Sequence, residues 1–256
     1  MSLDACAALV ERGDPDRFAA MMAAPVAARG PMAVLFAFNL EVARAPWVTK
    51  EPLIAEMRLQ FWRDVVAEAA AGRTRAHEVA GPLANLIRDR GLPAGLLDRM
   101  VEARRADIYP DGFADQAAMD AYLEDTGAGL MWATALALGA GAEAEAEAAV
   151  RAHGHATALV AWLRAVPELE ARGHVPLVDG REVAVAALAR TALARLARDG
   201  AGRPRGLARA ALLPAWQTGA LLRQVARDPA RVGLGQMGLS PFGRQARLLR
   251  AAFLGL

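Results

Sequence analysis

Apolar residues recur every three to four positions along most of the chain, which is the spacing of helices that pack one face in a core. The segment 53–71 shows the pattern clearly, and Gly72 ends it. Two adjacent stripes of this segment are predicted to face the core: Met57, Phe61 and Val65, beside Leu59, Trp62 and Val66.

Capping and breaking residues predict the helix limits. Asp14 followed by Pro15 predicts a capped helix start. Gly30-Pro31 predicts the end of that first helix, and a second helix is expected over 32–45. Further helices are predicted over 53–71, 82–90, 94–107, 115–138, 142–166, 181–199, 206–227 and 241–253.

Composition agrees with a helical protein. Of the 256 residues, 55% are hydrophobic and only 5% aromatic, with many alanines and leucines. The connections are short and no internal repeat is visible, so we predict one all-α domain over residues 1–256. The longest uncharged run, 126–142, is too short and too rich in glycine for a typical membrane span, and we interpret it as a buried core helix.

The net charge of +2 is unevenly distributed. Residues 190–256 hold twelve arginines and two aspartates, and Lys50 is the single lysine of the chain. Arginine suits phosphate, carboxylate or anionic lipid, but it also simply replaces lysine on solvated surfaces, and both readings stay open. The arginines show no aromatic interleaving or binding motif, so we expect no nucleic-acid partner. Cys6, the single cysteine, excludes an intramolecular disulfide and favours a reducing, cytoplasmic location.

Several segments carry a recognisable pattern when they are taken together. The most specific are Phe38-Asn39-Leu40-Glu41-Val42-Ala43-Arg44, Phe61-Trp62-Arg63, Tyr122-Leu123-Glu124-Asp125 and Leu163-Arg164-Ala165-Val166-Pro167. In order and spacing the chain resembles the squalene/phytoene synthase family over roughly residues 16–255.

The resemblance implies an isoprenoid-synthase-like bundle of antiparallel helices around a central cavity. Enzymes of this family join two prenyl diphosphates head to head. Two Asp-x-x-x-Asp motifs on facing helices each place carboxylates one turn apart, where they hold Mg²⁺ against the departing pyrophosphate.

This sequence departs from both metal motifs. Ala43, Arg44 and Trp47 stand where the first motif has aspartates. In the second motif, Ala165 and Leu169 replace the two aspartates. None of the replacing side chains ligates a cation, so we expect no metal and no other cofactor.

The replacement resembles that of one non-catalytic branch of the family. That branch contains a mitochondrial complex I assembly factor and its bacterial relatives, which share Phe-Asn-x-Glu-x-Ala and Leu-Arg-Ala-x-Pro. Pro167 of the second pattern is also expected to end or kink its helix. The resemblance implies a non-catalytic protein acting by binding, with respiratory complex subunits or an isoprenoid or anionic lipid ligand as partners. A peripheral position at the inner face of the membrane stays open.

The candidate cavity or anion-binding residues follow from the resemblance and from the retained basic positions. They are Asn39, Glu41, Arg44, Arg58, Arg63, Asp107, Tyr122, Arg164, Glu168 and Arg172. A structural alternative is that a buried arginine of this set pairs with Glu41 or Glu168.

A rival function stays open: a divergent Mg²⁺-dependent head-to-head prenyltransferase, or a hydrolase using Glu41, Glu168 and Glu170. Three or more carboxylates converging on one open pocket would favour the enzyme.

Overall fold

The computed structural model describes residues 3–141 and 143–255, and these residues form helices without any β-strand. The prediction of an all-α protein is confirmed. The helices are α1 Leu3–Gly13, α2 Pro15–Ala23, α3 Val26–Arg44, α4 Pro52–Ala70, α5 Ala80–Arg90, α6 Ala94–Ala103, α7 Gln116–Leu123, α8 Gly129–Ala137, α9 Ala144–Ala171, α10 Glu182–Asp199, α11 Thr218–Arg227, α12 Ala230–Gly233 and α13 Pro241–Phe253.

The first helices begin as predicted but are divided differently. Asp14 accepts a hydrogen bond from the backbone N–H of Arg17 (2.9 Å), which confirms the capped start at Pro15. The predicted helix break at Gly30-Pro31 is wrong, because α3 runs through Pro31. The interruption between α2 and α3 lies earlier, at Pro25. Gly30 has no Cβ to clash with the proline ring, so the residue before Pro31 tolerates helical geometry.

The stripe predicted on α4 is partly wrong. Leu59, Trp62 and Val66 are buried, whereas Met57 is 64% exposed. Met57 lies two residues before Leu59, or about 200° around the helix, so a helix that packs through Leu59 turns Met57 to solvent.

Helix α9 passes through Pro167 and continues to Ala171, so this proline does not end the helix, and the alternative of a kink at Pro167 stays a prediction. Proline removes one backbone hydrogen bond and costs about 3 kcal/mol inside a helix. Val166 and Leu169, on either side of it, are buried in the core, and their burial offsets that cost. The predicted helix over 206–227 is also corrected, since a 3₁₀ segment at Gly206–Ala215 precedes α11.

The interior contains two hydrophobic clusters. The larger is built mainly from α1 to α6, α8 and the 3₁₀ segment 206–215, and the smaller from α7 and α9 to α12. A five-residue π-helical turn, Glu124–Ala128, joins α7 to α8 and crosses α9 where two glycines face each other. A Cβ atom on Gly127 would lie 2.2 Å from the Cβ of Ala158, so only glycine permits this close crossing.

One stretch, Val26–Trp47, has the length and composition of a membrane span, with 22 residues and a mean hydropathy of 1.3. Most of it is buried, and Phe36 and Phe38 are among the most deeply enclosed side chains of the protein. A soluble core helix meets the same criteria. The uncharged run interpreted as a core helix, 126–142, likewise contributes α8, whose side chains are nearly all buried.

Candidate functional site

A cavity of about 390 Å³ lies between α3, α7 and α9. The 3₁₀ segments at Ala45–Trp47 and Arg104–Asp107 complete its wall. Most of the wall is apolar, and it includes the indole rings of Trp47 and Trp162. A concave, largely apolar pocket with a few polar groups is typical of a small-molecule site.

Three polar residues form one part of the cavity wall: Asp107 and Tyr122 are buried, and Arg104 is partly buried. The Arg104 guanidinium donates to the Tyr122 hydroxyl oxygen (2.6 Å) and to the Asp107 carboxylate (3.2 Å), and the Tyr122 hydroxyl donates to Asp107 (2.8 Å). Burial raises the pKa of the Asp107 carboxyl above its ordinary value, and Arg104 and Tyr122 oppose that rise by stabilising the carboxylate. Burial also raises the pKa of Tyr122, so its hydroxyl keeps its proton and acts as a donor. The cluster is therefore internally paired.

Trp47 and Arg172 stand at the solvent side of the cavity. The Arg172 guanidinium lies 5.2 Å from the centre of the Trp47 ring, and its Nε donates to Glu168 (2.8 Å). The His174 ring also packs against the Trp47 ring, with 5.1 Å between the two ring centres. Both members of the Arg172–Glu168 pair are about half exposed or more, so this pair contributes little stability and is free to rearrange.

Four of the five positions at which this chain departs from the metal-binding aspartates of the family pattern come together in this cavity, and Arg44 lies outside it. Ala43 and Trp47 line it from one side, and Ala165 and Leu169 line it from α9. Two methyl groups, an indole and an isobutyl group offer no oxygen to a cation. Mg²⁺ requires oxygen ligands in near-octahedral geometry, so the residues present do not fit a magnesium site.

The remaining acids do not replace the missing ligands. Asp107 and Glu168 are the carboxylates that line the cavity within the described residues, and each is already paired with an arginine. In residues 3–141 and 143–255 no group of three or more His, Cys, Asp or Glu side chains is arranged to hold a metal.

The structure places half of the candidate residues in the cavity. Asn39, Asp107, Tyr122, Glu168 and Arg172 line it. Asn39 is only 5% exposed, and its side chain makes no hydrogen bond to any described residue.

The other candidates lie elsewhere, and their assignment to the cavity is corrected. Helix α3 lines the cavity with Asn39 and Ala43, which are four residues apart on one face of the helix. Glu41 lies between them on a different face, and Arg44 is exposed to solvent. On α4, Arg58 is exposed, and Arg63 pairs with Asp98 and Glu102 of α6 (both 2.7 Å). Among the described residues Glu41 has no arginine partner, and Glu168 pairs with the exposed Arg172, so neither acid pairs with a buried arginine.

Arg164 belongs to a separate junction near the cavity. It donates to Asp16 (3.0 Å), which also accepts from Gln217 (2.6 Å) and from Arg244 of α13. Burial alone would raise the pKa of Asp16, but these donors hold it below its ordinary value. This Asp16 junction thus ties α2, α9 and α13 together.

Sequence reasoning missed two arginines of the cavity. Arg104 stands three residues before Asp107, a spacing that puts the two side chains on one helical face and could have identified the pair. Arg17 also lines the cavity, where it pairs with its own cap residue Asp14 (2.9 Å).

Comparison with known proteins identifies relatives by sequence. The family model for squalene/phytoene synthase matches residues 10–178. A protein of Rattus norvegicus named NADH dehydrogenase (ubiquinone) complex I, assembly factor 6, is 26% identical over 170 residues, which cover 66% of this chain and 51% of that protein. The Homo sapiens protein of the same name is 26% identical over 129 residues, which cover 50% of this chain and 39% of that protein. The chain thus spans about half the length, or less, of the curated relatives it matches.

Solved structures support the fold. A dehydrosqualene synthase crystallised with a ligand superimposes with a TM-score of 0.62 and 12% identity, covering 99% of this chain and 83% of that one. A squalene synthase from Alicyclobacillus acidocaldarius gives 0.63 and 15%, with coverages of 99% and 94%. These similarities confirm the isoprenoid-synthase-like bundle. With the match over residues 10–178, they lead to one conclusion: the chain belongs to the squalene/phytoene synthase family.

Proposed function

We propose that this protein is a non-catalytic member of the squalene/phytoene synthase family that acts by binding in the assembly of respiratory complex I. One observation carries the non-catalytic part. Ala43, Trp47, Ala165 and Leu169 stand at four of the five replaced metal-binding positions of the family pattern and line one cavity together. A diphosphate leaving group needs a compensating cation in this chemistry, and these residues do not hold one.

The assembly part rests on the relatives. Proteins named as complex I assembly factor 6 match half to two thirds of this chain. Respiratory complex subunits are therefore the proposed partners. The rival prenyltransferase has less support, because the cavity lacks a convergent set of carboxylates in the described part of the chain.

We further propose a cytoplasmic protein that contacts the inner face of the membrane through α13. Phe242, Leu249 and Phe253 are spaced seven and four residues apart on one side of this helix and are 82%, 58% and 81% exposed. The helix also carries Arg247 and Arg250 and no acidic residue. An apolar stripe with flanking cations suits an anionic lipid surface.

The catalytic question has a direct test. Purified protein is incubated with farnesyl or geranylgeranyl diphosphate and Mg²⁺, beside an active squalene synthase as positive control. We expect no head-to-head product. Turnover above that of heat-denatured protein would overturn the non-catalytic proposal.

The assembly role is tested in a deletion strain of the source organism. We expect the strain to lose NADH:quinone activity and to accumulate incomplete complex I on native gels, with rescue by the intact gene. Unchanged complex I in the deletion strain would contradict the role.

The membrane contact is tested by sedimentation with phosphatidylglycerol or phosphatidylcholine vesicles. Binding is expected only to the anionic vesicles, and it should weaken as salt is raised. The L249S/F253S variant changes two exposed side chains, so it should fold normally and bind less. Binding that ignores both salt and this substitution would count against the contact.

A further inference from the structure

Two polar side chains of the cavity wall, Asn39 and Arg104, keep groups that make no hydrogen bond within residues 3–141 and 143–255. Asn39 offers an amide N–H₂ and a carbonyl oxygen, and neither makes a hydrogen bond to a described residue although Asn39 is 95% buried. Arg104 uses only its Nη1 for Asp107 and Tyr122, so its Nε and Nη2 donors make no hydrogen bond within the described residues. Both side chains line the cavity, so their unpaired groups are available to a molecule bound there. A bound oxygen-bearing group would supply hydrogen-bond partners for them.

The charge of the cavity wall limits what that group can be. Each arginine in the wall already faces a carboxylate: Arg17 faces Asp14, Arg104 faces Asp107, and Arg172 faces Glu168. The formal charges at the wall therefore nearly cancel, with the exposed Arg172–Glu168 pair at its solvent side. A diphosphate would bring about three negative charges into this low-dielectric space without a metal to balance them.

The apolar part of the wall determines the rest of the ligand. Trp47 and Trp162 are joined there by Leu40, Leu123, Leu169 and a row of alanines on α9. The alanines at 158, 161 and 165 keep this side of the cavity open, since larger side chains at those positions would fill it. The available volume, about 390 Å³, is within the range of small-molecule pockets.

From these observations we infer that the cavity binds a neutral apolar molecule with a single hydroxyl or carbonyl head group, without any metal. The head group bonds to Asn39 and to the free donors of Arg104, and the apolar body packs against the two indoles. This inference rests on the proposed non-catalytic function and specifies the ligand of the same cavity.

The matched probes are farnesol and farnesyl diphosphate, which share one chain and differ only in the head group. Binding is followed by the fluorescence of Trp47 and Trp162, which line the cavity, and by calorimetry. We expect farnesol to bind with an affinity that Mg²⁺ leaves unchanged. Farnesyl diphosphate should bind at least tenfold more weakly, with or without Mg²⁺.

Two variants locate the binding. Ala165→Leu narrows the cavity without changing a polar group, and we expect it to abolish farnesol binding. Asn39→Leu removes the unpaired amide at nearly constant volume and should weaken farnesol binding about fivefold, the equivalent of one hydrogen bond of about 1 kcal/mol. Arg58→Gln alters an exposed arginine outside the cavity and serves as the control, with unchanged affinity. Circular dichroism and thermal unfolding establish that each variant is folded.

Three results would overturn the inference: no farnesol binding, Mg²⁺-enhanced binding of farnesyl diphosphate, or full farnesol affinity in folded Ala165→Leu. These results are distinguishable from a failure of the proposed function. Prenyl turnover or an intact complex I in the deletion strain refutes that function, whereas the binding measurements address the ligand alone.

Discussion

Replacing Gly154 with alanine tests whether the close crossing of α9 and the π-helical turn fixes the geometry of the bundle. A Cβ atom at position 154 would lie 2.6 Å from the Cα of Ala128, 2.9 Å from the carbonyl oxygen of Gly127 and 3.0 Å from the Cβ of Met131. The nearest two are backbone atoms, which cannot rotate away as a flexible side chain would. The two helical segments must therefore separate.

The expected magnitude follows from two opposing effects. Overpacking a core costs about 1–3 kcal/mol, and a backbone clash belongs in the upper part of that range. Glycine to alanine inside a helix gains about 1 kcal/mol. The net expectation is a loss of about 1–2 kcal/mol in the free energy of unfolding, or a melting temperature lower by roughly 3–6 °C for a chain of this size.

The assay is urea unfolding, followed by circular dichroism, with Gly95→Ala as the matched control. Gly95 lies in α6, and the nearest atom to a Cβ built there is the mobile end of Arg99, at 3.9 Å. Gly95→Ala should leave the protein as stable as wild type or more stable, because it gains helix propensity without a clash. A Gly154→Ala protein as stable as wild type would refute the account of the crossing.

Three further predictions concern buried polar groups. Asp16→Asn should lower the free energy of unfolding by about 2 kcal/mol, because hydrogen bonds from Arg164, Gln217 and Arg244 lose their charged acceptor. The pKa of Asp16 is lowered in the folded protein, so the carboxylate stabilises the fold above the unfolded aspartate pKa of about 3.9, and this stabilisation is lost as pH falls further. The free energy of unfolding should therefore fall less steeply with acid in Asp16→Asn than in wild type. Identical acid unfolding profiles would contradict this. Burial and the charge of Arg195 lower the pKa of His155, and Asp120 and Glu124 oppose this shift. The free energy of unfolding should therefore fall as pH drops below about 6.5, and His155→Leu should reduce that fall. If the free energy of unfolding depends equally on pH in both proteins, His155 is not its cause. Tyr122→Phe should cost about 1–2 kcal/mol in thermal unfolding, since Asp107 and Arg104 each lose a buried partner, and an unchanged melting temperature would disprove that role.

Local signals predicted much of the fold. The cap at Asp14 and the proline after it mark the start of α2, because a capping hydrogen bond involves residues three apart and is visible in sequence. Met57 shows where such reasoning fails. Spacing placed both apolar stripes of α4 toward the core, but which of their residues are buried depends on the neighbouring helices against which α4 packs. The extent of the single domain, residues 1–256, stays a prediction.

The candidate site was less predictable. The replaced positions Ala43 and Ala165 were found because they interrupt motifs with fixed spacing, and the structure places both in one cavity. Arg63 and Arg164 matched basic positions of the same pattern, yet their partners are Asp98 on α6 and Asp16 on α2. Sequence spacing shows that an arginine is present on a helix but does not show which distant acid it meets.

The Asp16 junction has a consequence for how the protein is made. Its donors follow Asp16 in the chain by 148, 201 and 228 residues. A ribosome releases the N-terminal segment first, so α2 waits for nearly the whole chain before its carboxylate is fully bonded. A polypeptide that stops before residue 217 keeps only the Arg164 contact and therefore opens more readily at α2. Limited proteolysis should therefore cleave α2 sooner in a chain that stops before residue 217 than in one that includes residue 244.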